Sequence, residues 1–106
     1  MSTYTPDRWL IVKINGNDPH YRVFGSWYGG YAGSDSWKLN SGITEVKEEG
    51  DWYLFSGTSG SVYRCHKKGY GISGYGAGVL DHLIKTSDLG IEALPSDTDV
   101  MSLNYT

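Results

Sequence analysis

The sequence predicts an all-β protein, a small and strongly bent barrel of five strands with one short helix near the C-terminal end. Three observations indicate this fold. Aromatic and β-branched residues, which fit a pleated and half-buried surface, recur along most of the chain. Fifteen glycines are interleaved with them and supply tight turns and bulges. The apolar runs are short, and each is bounded by turn residues, as in small barrels.

The strands follow one another with clear turn signals between them. The turn at residues 15–19 contains Asn-Gly and Pro, so the second strand should return antiparallel to the first. A loop is expected at residues 29–35. The third strand is expected to be long, with a bend or bulge at Gly42 where the alternation of its side chains changes face. The five expected strands are residues 9–14, 21–28, 37–48, 52–56 and 61–66.

The period of the apolar residues changes after the last strand. Residues 79–86 have helical spacing and are predicted to form a short helix, with Gly90 available for a left-handed cap. Residues 1–90 are expected to form one β-barrel domain of the Sm-like or SH3-like kind. The acidic tail at residues 91–106 is expected to be partly ordered or docked. The residues expected in the core are Leu10, Val12, Ile14, Val23, Leu39, Leu54, Val62, Leu80 and Leu83.

The charge is unevenly distributed along the chain. Residues 1–86 hold nine basic and eight acidic residues, whereas residues 87–106 hold four acidic residues and no basic one. The near-neutral body neither favours nor excludes a nucleic-acid partner. The single cysteine excludes an internal disulfide, and the N-terminus lacks the features of a signal peptide. We therefore expect a cytoplasmic protein, and no apolar run is long enough to predict a membrane partner.

The connector at residues 67–78 contains the glycine motif G-x-G-x-x-G between the last strand and the helix. A dinucleotide-binding fold is not expected, because the upstream strands indicate antiparallel hairpins. Free backbone amides, a helix N-terminus and neighbouring lysines nevertheless predict an anion or phosphate site. A flexible connector is the alternative interpretation. The residues of the predicted anion site are Lys67, Lys68, Gly69, Gly71 and Gly74.

Tyrosine and tryptophan are too numerous for one small core, so some of these side chains are expected at the surface. Exposed aromatic residues form protein interfaces, including contacts between copies of one chain. Beside Arg22, Lys38, Arg64 and Lys67 they could instead stack the bases of single-stranded nucleic acid. An aromatic surface without any partner is the third interpretation. The predicted aromatic binding surface consists of Tyr21, Trp27, Tyr28, Tyr31, Trp37 and Arg64.

Catalytic and metal-binding residues are not predicted. Cys65 and His66 are adjacent on a strand, so their side chains point to opposite faces and cannot share a metal ion. Cys65 is expected to be buried as a small apolar residue. The carboxylates at residues 45–51 surround a solvated turn, where they act as ordinary surface charges. No cofactor is expected.

Three stretches of the chain, at residues 37–43, 51–65 and 68–71, resemble a known group of sequences. The first reads Trp-Lys-Leu-Asn-Ser-Gly-Ile and the last Lys-Gly-Tyr-Gly. They are similar to a family of short, uncharacterised proteins of marine T4-like bacteriophages, including cyanophages, and of marine metagenomes. The resemblance covers residues 9–78 and implies a viral origin, with a setting in the host cytoplasm or the virion. Its motifs are structural, so it implies no site residues.

The sequence favours a non-enzymatic binding module that works through an aromatic sheet surface and self-association. Edge strands invite pairing, and pairing with another copy or another protein satisfies their backbone groups. One alternative is a small phage enzyme or inhibitor with its anion site at residues 67–78. The other is a weak, salt-sensitive binder of single-stranded nucleic acid, whose affinity should increase when residues 87–106 are removed.

Overall fold

The computed structural model of the chain describes residues 2–29, 35–88 and 90–105. These residues are mostly β with one α-helix, which agrees with the predicted fold class. Two 3-10 turns occur at Lys67–Gly69 and Val100–Ser102. The strands and the helix are β1 (Thr3–Tyr4), β2 (Arg8–Ile14), β3 (His20–Trp27), β4 (Ser36–Leu39), β5 (Ile43–Glu49), β6 (Trp52–Gly57), β7 (Val62–His66), α1 (Gly74–Thr86) and β8 (Ile91–Ala93).

The described strands form two open sheets of four, and the predicted bent barrel of five strands is therefore not confirmed. The first sheet has the order β1-β7-β6-β5, and the second has the order β4-β3-β2-β8. Strand β1 is parallel to β7, and the other neighbours are antiparallel. The predicted loop at residues 29–35 lies mostly outside the described residues.

The chain passes from the second sheet to the first at Gly42. Its φ of 132° lies in a region that favours glycine. The sequence predicts one bent strand over residues 37–48, whereas the structure divides this segment into β4 and β5, which lie in different sheets. Each half becomes an edge strand, so the sheet cannot close into one barrel at this point.

The central strand β2 is buried on both faces, which gives the protein three layers. One face packs against the first sheet and the other against α1. Trp9 and Ile11, which simple alternation places outside the core, are 1% and 0% exposed. The core between the sheets consists of Trp9, Ile11, Val23, Ile43, Phe55, Tyr63, Cys65 and Val100. The core under the helix consists of Leu10, Val12, Ile14, Phe24 and Leu80.

Part of the expected core is only half-buried. Leu54 and Val62 lie on the outer face of the first sheet, because Phe55 and Tyr63 occupy the inward positions of β6 and β7. Alternation finds the two faces of a strand but not which face is inward, and here the aromatic residues take the core. The half-buried residues among those expected in the core are Leu39, Leu54, Val62 and Leu83.

The predicted helix is present, but it begins at Gly74 rather than near residue 79. The Oγ of Ser73 accepts a hydrogen bond of 3.0 Å from the backbone N–H of Gly76, which caps the first turn. The helix ends at Thr86, so Gly90, with a φ of 67°, lies beyond its end instead of capping it. Within the described ranges no helix is long and apolar enough to span a membrane.

The tail after α1 is docked along most of its described length. Strand β8 pairs with β2, and the backbone N–H of Leu94 donates to the carbonyl of Ile11 at 2.9 Å. Val100 is 2% exposed and fills the space between the sheets. The hydroxyl of Tyr105 donates to the carbonyl of Val100 at 2.6 Å. The tail therefore contributes to the core as well as carrying negative charge.

Candidate functional site at the edge of the second sheet

Strand β4 pairs with β3 on one side and with no described strand on the other, so one side of it is open. Asn40 is hydrogen-bonded to Val23 by its backbone N–H, at 2.9 Å. Because hydrogen-bonded and non-bonded pairs alternate in an antiparallel ladder, Lys38 also points its backbone groups at β3. Trp37 and Leu39 then point their N–H and C=O groups outward. We call this row of groups the open edge.

At the end of β4, the side-chain oxygen of Asn40 takes the place of a backbone carbonyl in the pairing with β3. This Oδ1 accepts the backbone N–H of Val23 at 2.8 Å, which completes the pairing. The side chain is 4% exposed, and its Nδ2 has no partner among the described residues. A carbon at the Cβ position of Gly57 would lie 3.2 Å from this nitrogen, so glycine there leaves room for the amide. These hydrogen bonds of Asn40 to Val23 fix the end of β4 and thereby the position of the open edge.

A groove lies on the side of β4 that faces the first sheet. It has two adjoining parts of 470 and 350 Å³, which share Tyr4, Trp37 and Lys38 in their walls. Trp27 lines the smaller part, and the Nε1 of Trp27 donates to the carbonyl of Thr5 at 2.9 Å. The larger part continues past the side chains of Arg22, Asn40 and Tyr63 to the serines of the β6–β7 turn.

The groove is positively charged. The Nζ of Lys38 lies 4.9 Å from the ring centroid of Tyr4, a cation–π distance. Arg22 donates through Nε to the Nε2 of His20 at 2.9 Å. Neither cation has a carboxylate partner among the described residues, and no Asp or Glu lines either part of the groove. Asp18 lies further on, in a separate pocket of 290 Å³.

An apolar notch lies on the other side of β4, next to the helix. Trp37 stacks on Phe24 with 5.8 Å between ring centroids and 15° between the planes, yet 37% of it remains exposed. The notch has a volume of 530 Å³, and its second wall is α1. Gly74 and Gly78 leave it wide, because a Cβ at either position would meet nothing within 4 Å. The helix residues that line it are Gly74, Tyr75, Gly78, Val79, His82 and Leu83.

The structure brings together only part of the predicted aromatic surface. Trp27 and Trp37 line the groove. The other members lie elsewhere: Tyr21 packs edge-on against Tyr105 at 5.7 Å, and Tyr28 is 54% exposed and accepts from the Nε of Arg8 at 3.3 Å. Arg64 lies on the outer face of the first sheet, 3.6 Å above the ring of Trp52. Tyr31 lies outside the described residues.

Several groups in the segment of the predicted anion site have other partners. Lys67 forms an ion pair with Glu48, which raises the pKa of the lysine. A Cβ on Gly69 would lie 3.4 Å from Trp9, so this glycine allows close packing instead. The backbone N–H groups of Lys68, Gly71 and Gly76 already donate to His66, Trp9 and Ser73 respectively. Gly74 lines the notch. The anion site stays a prediction.

Cys65 and His66 point to opposite faces of β7, as predicted. Cys65 is 0% exposed, and burial raises the pKa of its thiol far above the usual value. His66 lies on the outer face, in an edge-on contact with Trp52 at 4.8 Å. A buried neutral thiol is a poor nucleophile, so Cys65 is a core residue.

Sequence reasoning did not select Tyr4 or Asn40 for the site. Tyr4 belongs to a strand of two residues, too short to produce an alternating pattern. The role of Asn40 depends on a partner seventeen residues away in the chain, so it has no local signal. Of the four cations predicted beside aromatic residues, Arg22 and Lys38 line the groove. Arg64 instead lies over Trp52, and Lys67 pairs with Glu48.

Comparison of the chain with protein-family models, curated proteins and solved structures finds no match. The site is therefore interpreted from its own geometry and chemistry.

Proposed function

We propose that this chain is a non-enzymatic interaction module that binds an extended segment of a partner protein along β4. One observation carries the proposal: the open edge lies between two lined depressions, the groove and the notch. Strand addition to such an edge obtains affinity from main-chain hydrogen bonds. It obtains specificity from pockets for alternate side chains. The aromatic residues Trp27, Trp37 and Tyr4 provide the large, rigid contacts that protein interfaces favour.

Binding accounts for the groove better than catalysis. Among the described residues, its two parts are lined by hydroxyl, amide and aromatic groups and two cations, without a carboxylate, imidazole or thiol. General acid–base chemistry at neutral pH needs a group that titrates near that pH and lies within reach of the substrate. The groups that line the groove are suited to binding a ligand of matching shape and charge.

Single-stranded nucleic acid is the competing ligand, since Trp37 and Tyr4 could stack bases beside Lys38 and Arg22. Two cations neutralise few phosphates, and phosphate neutralisation dominates such affinity. Base stacking of this kind would use neither the apolar notch nor the open edge. Removing residues 87–106 cannot test it, because these residues include β8 and the buried Val100.

Self-association and a bacteriophage setting are part of the proposal. A second copy presents extended segments of its own, so it is one partner that the open edge would accept. The resemblance to marine phage proteins would place the module in an infected host cell or in a virion.

The test measures binding of labelled eight-residue peptides to the full chain and to two variants at Leu39. Leu39→Pro removes an N–H group of the open edge while leaving the bonds to β3, and an edge strand tolerates such a proline. Leu39→Ala is the control, because it removes the same half-buried side chain and keeps the N–H group. We expect peptides to bind the wild type and Leu39→Ala but not Leu39→Pro.

Equal peptide binding by Leu39→Pro and Leu39→Ala would exclude strand addition. Binding of a labelled oligothymidine, unaffected by Leu39→Pro and lost at about 0.5 M salt, would replace the proposal with nucleic-acid binding. Elution of the wild type as a larger species than Leu39→Pro would identify a second copy as the partner at this edge.

A further inference from the structure

The two sides of the open edge have opposite chemical characters. On the helix side, the notch is apolar, with Trp37, Val79 and Leu83 in its walls. On the other side, Lys38 faces the groove without a carboxylate partner among the described residues. Arg22 shares the helix-side face of β3 with Phe24 and reaches only the larger part of the groove. A bound side chain therefore meets either an apolar space of 530 Å³ or a cationic wall, according to which way it points.

The alternation of a strand connects these two sides to a sequence pattern. Successive side chains of a strand point to opposite faces of the sheet. In β4 itself, Trp37 lies on the helix side and Lys38 on the groove side. A strand added beside β4 continues the sheet, so its successive side chains point alternately into the notch and into the groove.

We propose that the segment bound at β4 alternates apolar and acidic residues, with an apolar side chain in the notch and a carboxylate beside Lys38. This inference rests on the proposed function and names its partner class. Charge complementarity selects the acidic residues, because a basic or neutral segment would leave Lys38 without a carboxylate partner among the described residues. The width that Gly74 and Gly78 give the notch selects a bulky apolar residue over alanine.

The first experiment compares three eight-residue peptides that differ only in their groove-side residues. Apolar residues alternate with Glu in the first, with Gln in the second and with Lys in the third. The Lys38 cation near the carboxylates should make the Glu peptide bind about threefold more tightly than the Gln peptide at low salt. This difference should disappear at about 0.5 M salt, where exposed charges are screened.

Charge reversal at Lys38 sharpens this comparison. Lys38→Glu should transfer the preference from the Glu peptide to the Lys peptide. Lys47→Glu is the matched control, because it makes the same charge change on the exposed face of β5, at the far edge of the other sheet. It should leave the order of the three peptides as in the wild type.

The notch is tested by filling it. Gly78→Leu places a side chain into open space on α1, so the helix should be at least as stable as in the wild type. The variant should nevertheless lose at least about tenfold in affinity for the Glu peptide, since the apolar side chain has no room. Gly78→Ala controls for the helix and should bind as the wild type does.

Each outcome decides between the two claims. If the Glu and Gln peptides bind equally and both remain sensitive to Leu39→Pro, the acidic pattern is wrong while strand addition stands. If Gly78→Leu binds normally, the apolar side chain does not use the notch, and the inference fails in that part. If none of the three peptides binds the wild type, the proposed function fails together with it.

Discussion

Replacing Gly78 by alanine should stabilise the fold, whereas the same change two residues earlier, at Gly76, should not. Both glycines lie within α1, where glycine costs about 1 kcal/mol relative to alanine. A Cβ on Gly78 would meet nothing within 4 Å, so the whole gain should appear. For a domain of this size, about 1 kcal/mol corresponds to a rise in Tm of roughly 4–8 °C.

The situation of Gly76 is different because the helix start packs against it. A Cβ there would lie 3.1 Å from the Cγ1 of Ile72 and 3.2 Å from the Oγ of Ser73. Ile72 can move, since it is 36% exposed. Moving Ser73 weakens the cap on the Gly76 N–H, and a lost N-cap costs about 0.5–2 kcal/mol. The helix gain and the cap loss should therefore nearly cancel.

Thermal unfolding followed by circular dichroism, with urea denaturation in parallel, measures both variants under the same conditions. The expected result is a raised Tm for Gly78→Ala and an unchanged or lowered Tm for Gly76→Ala. Equal shifts for the two variants would refute the reasoning, because they would mean that the space around the two Cβ positions has no effect.

Three further predictions concern the core and the tail. Val100→Ala should lower the free energy of unfolding by about 2–3 kcal/mol, because it removes buried methyl groups between the sheets. The control Met101→Ala, at an exposed side chain, should change it by less than about 0.5 kcal/mol in the same urea titration. Cys65 should react with a thiol reagent only at the rate of unfolding, and rapid labelling of the native chain would contradict its burial. Burial raises the pKa of Tyr63 and Tyr105, so these groups contribute stability that is present below the unfolded tyrosine pKa of about 10 and is lost above it; a flat urea midpoint between pH 9 and pH 11 would refute this.

The sequence allowed the strands to be located, because alternation and turn residues are local signals. It did not give their sheet membership. Gly42 was recognised as a bend, but whether a bend stays in one sheet or leads to another depends on contacts distant in the chain. Strands β1 and β8 have two and three residues, so neither shows a period that could be recognised.

The candidate site was predictable only in part, for the same reason. Trp27 and Trp37 were chosen for their residue type, and they lie together because β3 and β4 form a hairpin. Arg64 was chosen with them, but it lies on the outer face of the other sheet. The notch arises because α1 packs beside β4. These two elements are far apart in the chain, so no local sequence pattern predicts the notch.

The most direct test of the account is amide hydrogen exchange along β4, measured by NMR with and without the alternating Glu peptide. In the free chain, the amide of Lys38 should be protected by its bond to β3, whereas those of Trp37 and Leu39 should exchange rapidly. Saturation with the peptide should protect Trp37 and Leu39 and leave Lys38 unchanged, because only strand addition gives these two amides acceptors. A bound peptide that leaves both amides in rapid exchange would contradict strand addition at β4.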